Sequence, residues 1–209
     1  GGGSGIGASI VEHFCEQECD VYFVDINKKD SNKLIKDLKK KGLKAPHFIE
    51  CNLIKIKKLQ TIIQKIIKSK GPIDILINNA ANDDRHSTDQ VDEKYWNNRM
   101  DVNLKHFFFT IKAVLKGMIK NNGGAIVNLS SVSWMLGEGD KVAYETAKSA
   151  VIGLTRSFAR EFGKYNIRCD SVTPGSIATA RQIKHWLTPK YKKFILDKQC
   201  LKRQLKPDD

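Results

Sequence analysis

Tyr144-Glu-Thr-Ala-Lys148 sets a phenol and an amine four residues apart. On a helix, residues i and i+4 share a face, so the Lys148 ammonium can lie beside the Tyr144 hydroxyl and favour its ionised form. A phenol with a pKa lowered in this way can exchange a proton with a substrate oxygen near neutral pH. The spacing alone proves little, and the surroundings decide. Ser130 and Ser131 directly follow the apolar run Ala125-Ile-Val-Asn-Leu129, Asn78-Asn79-Ala80-Ala81 closes the run before it, and Pro174-Gly175 closes the last one. Asn103, within Asp101-Val-Asn-Leu104, is a mid-helix amide, a mildly unfavourable choice unless it bonds something. Each could be a cap or a turn by itself. Occurring in order at consecutive strand ends, where open α/β sheets bind ligands, they point to one proton-transfer site.

A second constellation opens the chain. Gly1-Gly-Gly-Ser4-Gly5-Ile6-Gly7 has the glycines that a tight turn and a close approach to pyrophosphate require, and a helix starting near Ile6 aims its N–H groups and positive dipole end at phosphates. Alone, such a loop is also what a flexible surface segment looks like. Val21-Tyr-Phe-Val-Asp25 strengthens it by placing a carboxylate at the end of the next strand, about 20 residues on, where it can accept from both ribose hydroxyls of an adenosine. That carboxylate repels a 2′-phosphate and favours NAD over NADP, although Lys28 and Lys29 nearby blur the preference.

The elements that must position these groups alternate. Short apolar runs predict strands at 21–25, 47–51, 73–79, 125–131 and 167–173, and the windows between them carry helical spacing, as in Leu59, Ile62, Ile63, Ile66 and Ile67. Strict β, α alternation with nearly continuous apolar strands predicts a Rossmann-like, doubly wound parallel sheet in a single domain spanning 1–209. A phosphate-binding turn needs a strand to deliver it, and no residues precede Gly1. Lys206-Pro-Asp-Asp209 reads as a helix start. The chain is therefore expected to be a segment of a longer protein, cut at both ends.

Composition excludes other classes. At 209 residues, with 41% hydrophobic and 28% charged residues, the chain can bury a real core and has no low-complexity run. No apolar run approaches the roughly 20 residues of a membrane span. Thirty-six Lys and Arg against 23 Asp and Glu leave a formal charge of +13, but the excess is spread over amphipathic helices and is mostly Lys, whereas sequence-reading surfaces favour Arg forks. Specific nucleic-acid binding is not expected. Five cysteines, none in a C-x-x-C pair, argue against a metal site and suit a reducing cytoplasm.

With these motifs in order, the chain resembles the short-chain dehydrogenase/reductase family along essentially its whole length. The resemblance implies that Tyr144 is the acid/base, that Lys148 holds the nicotinamide ribose and lowers the phenol pKa, that Ser131 orients the reacting oxygen and that Asn103 maintains a water relay. It implies cofactor contacts at Gly1, Ser4, Gly5, Ile6, Gly7, Asp25, Asn52, Leu53, Asn79, Ala80, Ala81, Tyr144, Lys148, Pro174, Gly175, Ile177 and Thr179, and a homo-oligomer. Three positions depart from the family pattern: Ala81 replaces a glycine, Asn52 an aspartate, and Asp170 an asparagine. Asp170 adds a charge near the end of a buried strand.

The region after the strand at 73–79 is unusually polar. Asn82-Asp-Asp-Arg-His86, Ser133-Trp-Met135, Arg181-Gln182, Trp186-Leu-Thr-Pro189 and Gln199-Cys-Leu-Lys-Arg203 are similar to the family's aldose 1-dehydrogenases. Sugars need directional donors and acceptors plus an aromatic face, so Asp84, Arg85, His86, Ser133, Trp134 and Trp186 are the expected substrate contacts. The alternatives are a 3-oxoacyl-(acyl-carrier-protein) reductase or other short-chain reductase and, in another class, a silent NAD-binding scaffold.

Overall fold

The computed structural model describes residues 1–209. Five strands and nine α-helices follow in the order α1 (Gly5–Glu16), β1 (Tyr22–Asp25), α2 (Lys28–Lys40), β2 (His47–Glu50), α3 (Ile56–Lys70), β3 (Ile75–Asn78), α4 (Glu93–Met100), α5 (His106–Lys120), β4 (Gly124–Leu129), α6 (Ser133–Leu136), α7 (Val142–Phe162), β5 (Ile167–Val172), α8 (Ala180–His185) and α9 (Pro189–Lys198). A π-helical turn, Asp101–Lys105, joins α4 to α5. No helix is long and apolar enough to cross a membrane.

All five strands fall inside the predicted windows or within a residue of them, and every ladder is parallel. Ile75 to Asn78 pair in register with Ala125 to Asn128, and Gly124 to Leu129 with Ile167 to Val172. The single sheet that the pattern predicts is observed as two ladders, β1-β2 and β3-β4-β5. Periodicity reports which segments are strands but not which edges meet.

The chain divides into two compact units, Gly1–Glu50 with Gly175–Asp209, and Cys51–Pro174. In the first, Val11 and Cys15 of α1, Phe23 of β1 and Leu38 of α2 form the core, each position recurring at the period of its element. Asn27 starts α2 by accepting the Asp30 N–H at 3.0 Å, satisfying one of the donors a helix start leaves open.

In the second unit α5 packs on β3 and β4, and α7 on β4 and β5. Phe107, Ile111, Val114 and Met118 of α5 and Ala143, Ala147 and Val151 of α7 lose all solvent contact. Polar side chains thread this core in a chain of bonds. The Thr110 hydroxyl donates to Asn78 Oδ1 at 2.7 Å, Asn78 Nδ2 to Asn128 Oδ1 at 2.9 Å, and Asn128 Nδ2 to Thr155 Oγ1 at 3.0 Å. Buried amides are tolerated because each is paired. On β5, Ile167 and Cys169 face in while Arg168 and Asp170 are exposed, so the Asp170 charge stays in solvent and not in the core.

Candidate active site

Lys148 sits one turn after Tyr144 on α7, 1% exposed, and the fold uses that turn fully. Its Nζ donates to the carbonyl of Leu129, the last residue of β4, at 2.6 Å. In return Ser130 Oγ donates to the Lys148 carbonyl at 2.7 Å. Nζ lies 5.7 Å from the centre of the Tyr144 ring and 5.3 Å from that of Phe107. Burial among apolar neighbours drives the amine down to about 7, with the Asp83 carboxylate pulling the other way.

The Tyr144 phenol faces the Ser131 side chain, which acts to lower its pKa. Ser131 Oγ meets Ser133 Oγ at 3.0 Å and accepts the Ser133 N–H at 3.3 Å. The phenol itself is pushed up to about 12: burial dominates, Ser131 and Arg85 oppose it, and Asp83 adds to the rise. This corrects the expectation of a lowered phenol pKa. The i, i+4 spacing does put amine and phenol together, but an amine that titrates near 7 and bonds a carbonyl lends little positive charge to the ring.

Asn103 occupies the π-helical turn and is fully buried. Its Oδ1 accepts the Asn82 N–H at 2.8 Å, and its Nδ2 donates to the Asn82 carbonyl at 3.1 Å. The amide therefore clamps the loop after β3, and π turns recur where a helix must present such a group. His106, which sequence reasoning missed, anchors the same loop from the next turn. Its Nε2 lies 3.2 Å from the Ala80 carbonyl and 3.1 Å from that of Val102, contacts that an Nε2–H tautomer satisfies. Burial, reinforced by the Lys148 charge, pushes its pKa down to about 3 against the raising effect of those carbonyls. Nothing in its spacing marks it out.

The expected substrate residues do not act as one set. Asp84 accepts from Arg99 Nη1 at 3.3 Å, and Arg85 Nε lies 3.2 Å from Asp140 Oδ2. His86 is 7% exposed, with both ring nitrogens facing protein groups. The ring is held inside the protein. Ser133 is bound to Ser131, and Trp134 follows it on α6 with a buried Nε1 that has no hydrogen-bond partner. Trp186 belongs to the other unit, where it ends α8 with its ring 6.1 Å from His185. Asp83, which influences both Tyr144 and Lys148, was legible only as part of the polar loop.

The first unit gathers the other constellation. A Cβ on Gly2 would stand 2.8 Å from Phe23 Cβ, and one on Gly3 would stand 2.5 Å from Ser31 Oγ and 3.1 Å from Asp25 Oδ2. Gly5 has φ +55° and faces the Thr179 methyl. The loop thus needs glycine for both space and conformation. The Gly3 N–H donates to Asp25 Oδ2 at 2.9 Å and the Asn27 N–H to Oδ1 at 2.8 Å. Burial alone would raise the Asp25 carboxyl, but the N–H groups of Asn27, Gly3 and Ile26 pull the other way and it lies below its ordinary value. Ser4 heads α1 without capping it through its side chain. A glycine cradle, first-turn N–H donors for phosphate and an ionised carboxylate that accepts from ribose hydroxyls are the set that a dinucleotide requires.

Asn79, Ala80 and Ala81 follow β3, and Pro174 accepts the Val132 N–H at 3.1 Å beyond β5. Asn52 is exposed, with its Oδ1 accepting the Ile54 N–H at 3.2 Å, and Leu53 beside it is buried. In the first unit, Ile177 bridges to Leu205 close after Gly175, and Thr179 caps α8 by accepting the Gln182 N–H at 3.2 Å.

Parallel α/β ladders carrying a tyrosine, a serine and a buried lysine around the end of β4, with a glycine cradle opening the chain, define an oxidoreductase of the Rossmann type that acts on CH–OH groups. Residues 1–189 match the short chain dehydrogenase family, and the chain belongs to it; that family uses NAD(P). The chain is 42% identical over 209 residues to the D-xylose 1-dehydrogenase of Caulobacter vibrioides, covering 100% of this chain and 82% of that protein. It is 41% identical, with the same coverage, to a Rhizobium meliloti protein named "Probable galactose dehydrogenase". Among solved structures, a 3-oxoacyl-(acyl-carrier protein) reductase from Brucella melitensis superposes with a TM-score of 0.89 at 29% identity, over 100% of this chain and 78% of that one.

Proposed function

We propose that this protein oxidises an aldose at C1 to the lactone, with NAD as oxidant and Tyr144 as the acid–base group. The observation that carries the reading is the buried Lys148, whose Nζ lies 5.7 Å from the centre of the Tyr144 ring and bonds the Leu129 carbonyl at the end of β4, next to Ser131. Two hydroxyl-bearing side chains on one side of the site can share one substrate oxygen between them. In oxidation Tyr144 Oη takes the proton of the anomeric hydroxyl while Ser131 Oγ holds the same oxygen as charge develops on it. When bound, the nicotinamide cofactor supplies the hydride acceptor. Asn103 keeps the Asn82 loop in place, and Lys148 acts beside the phenol as a group able to gain or lose a proton near pH 7.

Asp25 supports NAD over NADP, because a buried, ionised carboxylate at the end of β1 repels a 2′-phosphate. The sugar reading is supported by the 42% and 41% identities to the two sugar enzymes, against 31% over the same 209 residues to the 3-oxoacyl-(acyl-carrier-protein) reductase of Thermotoga maritima. Asp84, Arg85, Ser133, Trp134 and Trp186 remain proposed as the polar and aromatic wall on the sugar side. We take 1–209 to work as one domain, since the family match runs through both units. The exposed Trp96 and Phe108 suit a homo-oligomer, and five free cysteines suit the cytoplasm.

The test is NADH formation over a panel of pentoses, hexoses, simple alcohols and 3-hydroxyacyl thioesters, repeated with NADP. Turnover of aldoses is expected, with Tyr144→Phe slower by about 10²- to 10⁴-fold while NAD binding is kept. A protein that reduces 3-oxoacyl thioesters with NADPH and ignores every sugar would overturn the proposal, as would an active Tyr144→Phe variant.

A further inference from the structure

Helix α7 carries Tyr144 in its first turn, yet its own N-cap residue, Lys141, provides no side-chain cap. The open N–H groups of that turn need acceptors. One comes from far away in sequence. His86 Nε2 accepts the N–H of Ala143, the residue immediately before Tyr144, at 3.4 Å, and Ala143 is fully buried. An acceptor nitrogen carries no proton, so the proton of the neutral ring is on Nδ1. Nδ1 lies 3.0 Å from the Tyr95 hydroxyl and 3.3 Å from the Asp84 carbonyl.

The ring is held on every side. Tyr95 packs edge-on to it at 5.0 Å, and Arg99 lies 5.1 Å over the Tyr95 ring while also binding Asp84 at 3.3 Å. The His86 N–H donates to the Asp140 carbonyl at 2.8 Å, and Arg85 grips the Asp140 carboxylate at 3.2 Å. The segment so fastened contains Gly137 and Gly139 at positive φ, 63° and 82°, backbone that does not orient a helix by itself.

We propose that His86 is a positioning residue for Tyr144: it supplies the cap that α7 lacks, and Tyr95 and Arg99 hold the ring in the tautomer and orientation that let it do so. This rests on Tyr144 being the acid–base group. It also gives His86 a different task from reading a sugar. A reacting hydroxyl displaced by about 1 Å can lose about 10²-fold in rate, and the first turn of a helix is where such displacement arises.

The test compares His86→Leu, His86→Gln and Tyr95→Phe with the wild type, reading kcat, KM and hydrogen exchange of the Ala143 amide. His86→Leu is expected to lower kcat by about 10- to 100-fold with KM for aldose and NAD within about twofold, and to speed Ala143 exchange. His86→Gln, whose Oε1 can accept where Nε2 did, should recover most of both. Tyr95→Phe keeps the ring packing and removes only the hydroxyl on Nδ1. It should lower kcat several-fold, and it decides the matter if His86→Leu does not fold. A raised KM with kcat intact in any of these variants overturns the proposal and returns the loop to substrate reading. Unchanged kcat in Tyr95→Phe, or a Gln variant no better than Leu, also overturns it. Exchange is read without substrate, so faster Ala143 exchange supports the cap and unchanged exchange refutes it even where an active Tyr144→Phe protein has removed the acid–base reading.

Discussion

Replacing Lys148 by Met should make the protein more stable at mildly acidic pH and inactive throughout. The wild-type amine falls from an ordinary 10.5 to about 7 in the fold, which at about 1.4 kcal/mol per unit means the folded state disfavours the charge by about 5 kcal/mol. The unfolded chain keeps the lysine protonated up to about pH 10, while the folded chain releases that proton above about pH 7. Between those values the unfolded state binds more protons, so wild-type stability rises with pH, and below pH 7 the full cost is present. Methionine fills nearly the same volume and carries no charge, but it leaves the Leu129 carbonyl without the 2.6 Å bond from Nζ, a loss of about 1–3 kcal/mol. The net gain at pH 6 is then about 2–4 kcal/mol, shrinking by about 4 kcal/mol by pH 10 as the wild type sheds its charge. Urea-unfolding midpoints for both proteins at each pH unit from 6 to 10 measure the difference. Parallel stability curves would refute the reasoning, because they would mean that Lys148 titrates alike folded and unfolded. A residue that destabilises the fold and abolishes turnover when removed is kept for its chemistry.

His106 gives an acid-side counterpart. Its pKa falls from 6.5 to about 3, so the folded state keeps it neutral where the unfolded chain charges it, and stability present above pH 6.5 is lost by about 4–5 kcal/mol on the way down to pH 3. In His106→Gln that part of the acid slope should vanish from urea midpoints; an identical slope contradicts it. With Tyr144 held at about 12 by burial, the base form needed for oxidation is scarce at neutral pH, so kcat for oxidation should climb steadily from pH 6 to pH 10, and a flat profile counts against Tyr144 as the base. Gly3→Ala forces a methyl to within 2.5 Å of Ser31 Oγ, which should weaken NAD binding by about tenfold or more by displacing the loop from Asp25. Titration of cofactor fluorescence reads it, and unchanged affinity would mean that the loop does not contact the cofactor.

Several features of this protein were decided locally and could be read from the residues. Strand windows, the glycine loop and the Tyr144-to-Lys148 spacing follow from periodicity, φ requirements and helix geometry, each fixed within a few neighbours. The buried amide chain was not legible, because Asn128 and its partners Asn78 and Thr155 lie far apart along the sequence. Other features depended on what the fold brings close. Whether Lys148 charges the phenol or loses its own charge depends on burial, and burial is a property of α7 against β4, not of the pentapeptide. The polar loop reads as a sugar wall because its residue types suit hydroxyls; the fold also brings His86 to Ala143 in the first turn of α7, 57 residues away, and Arg85 to Asp140. His106 and Asn103 look like ordinary helical residues until the Ala80 and Asn82 backbone arrives beside them. Short-range geometry fixes which atoms a segment can offer, but desolvation and partner choice are set by contacts between distant segments, and only the tertiary structure supplies those.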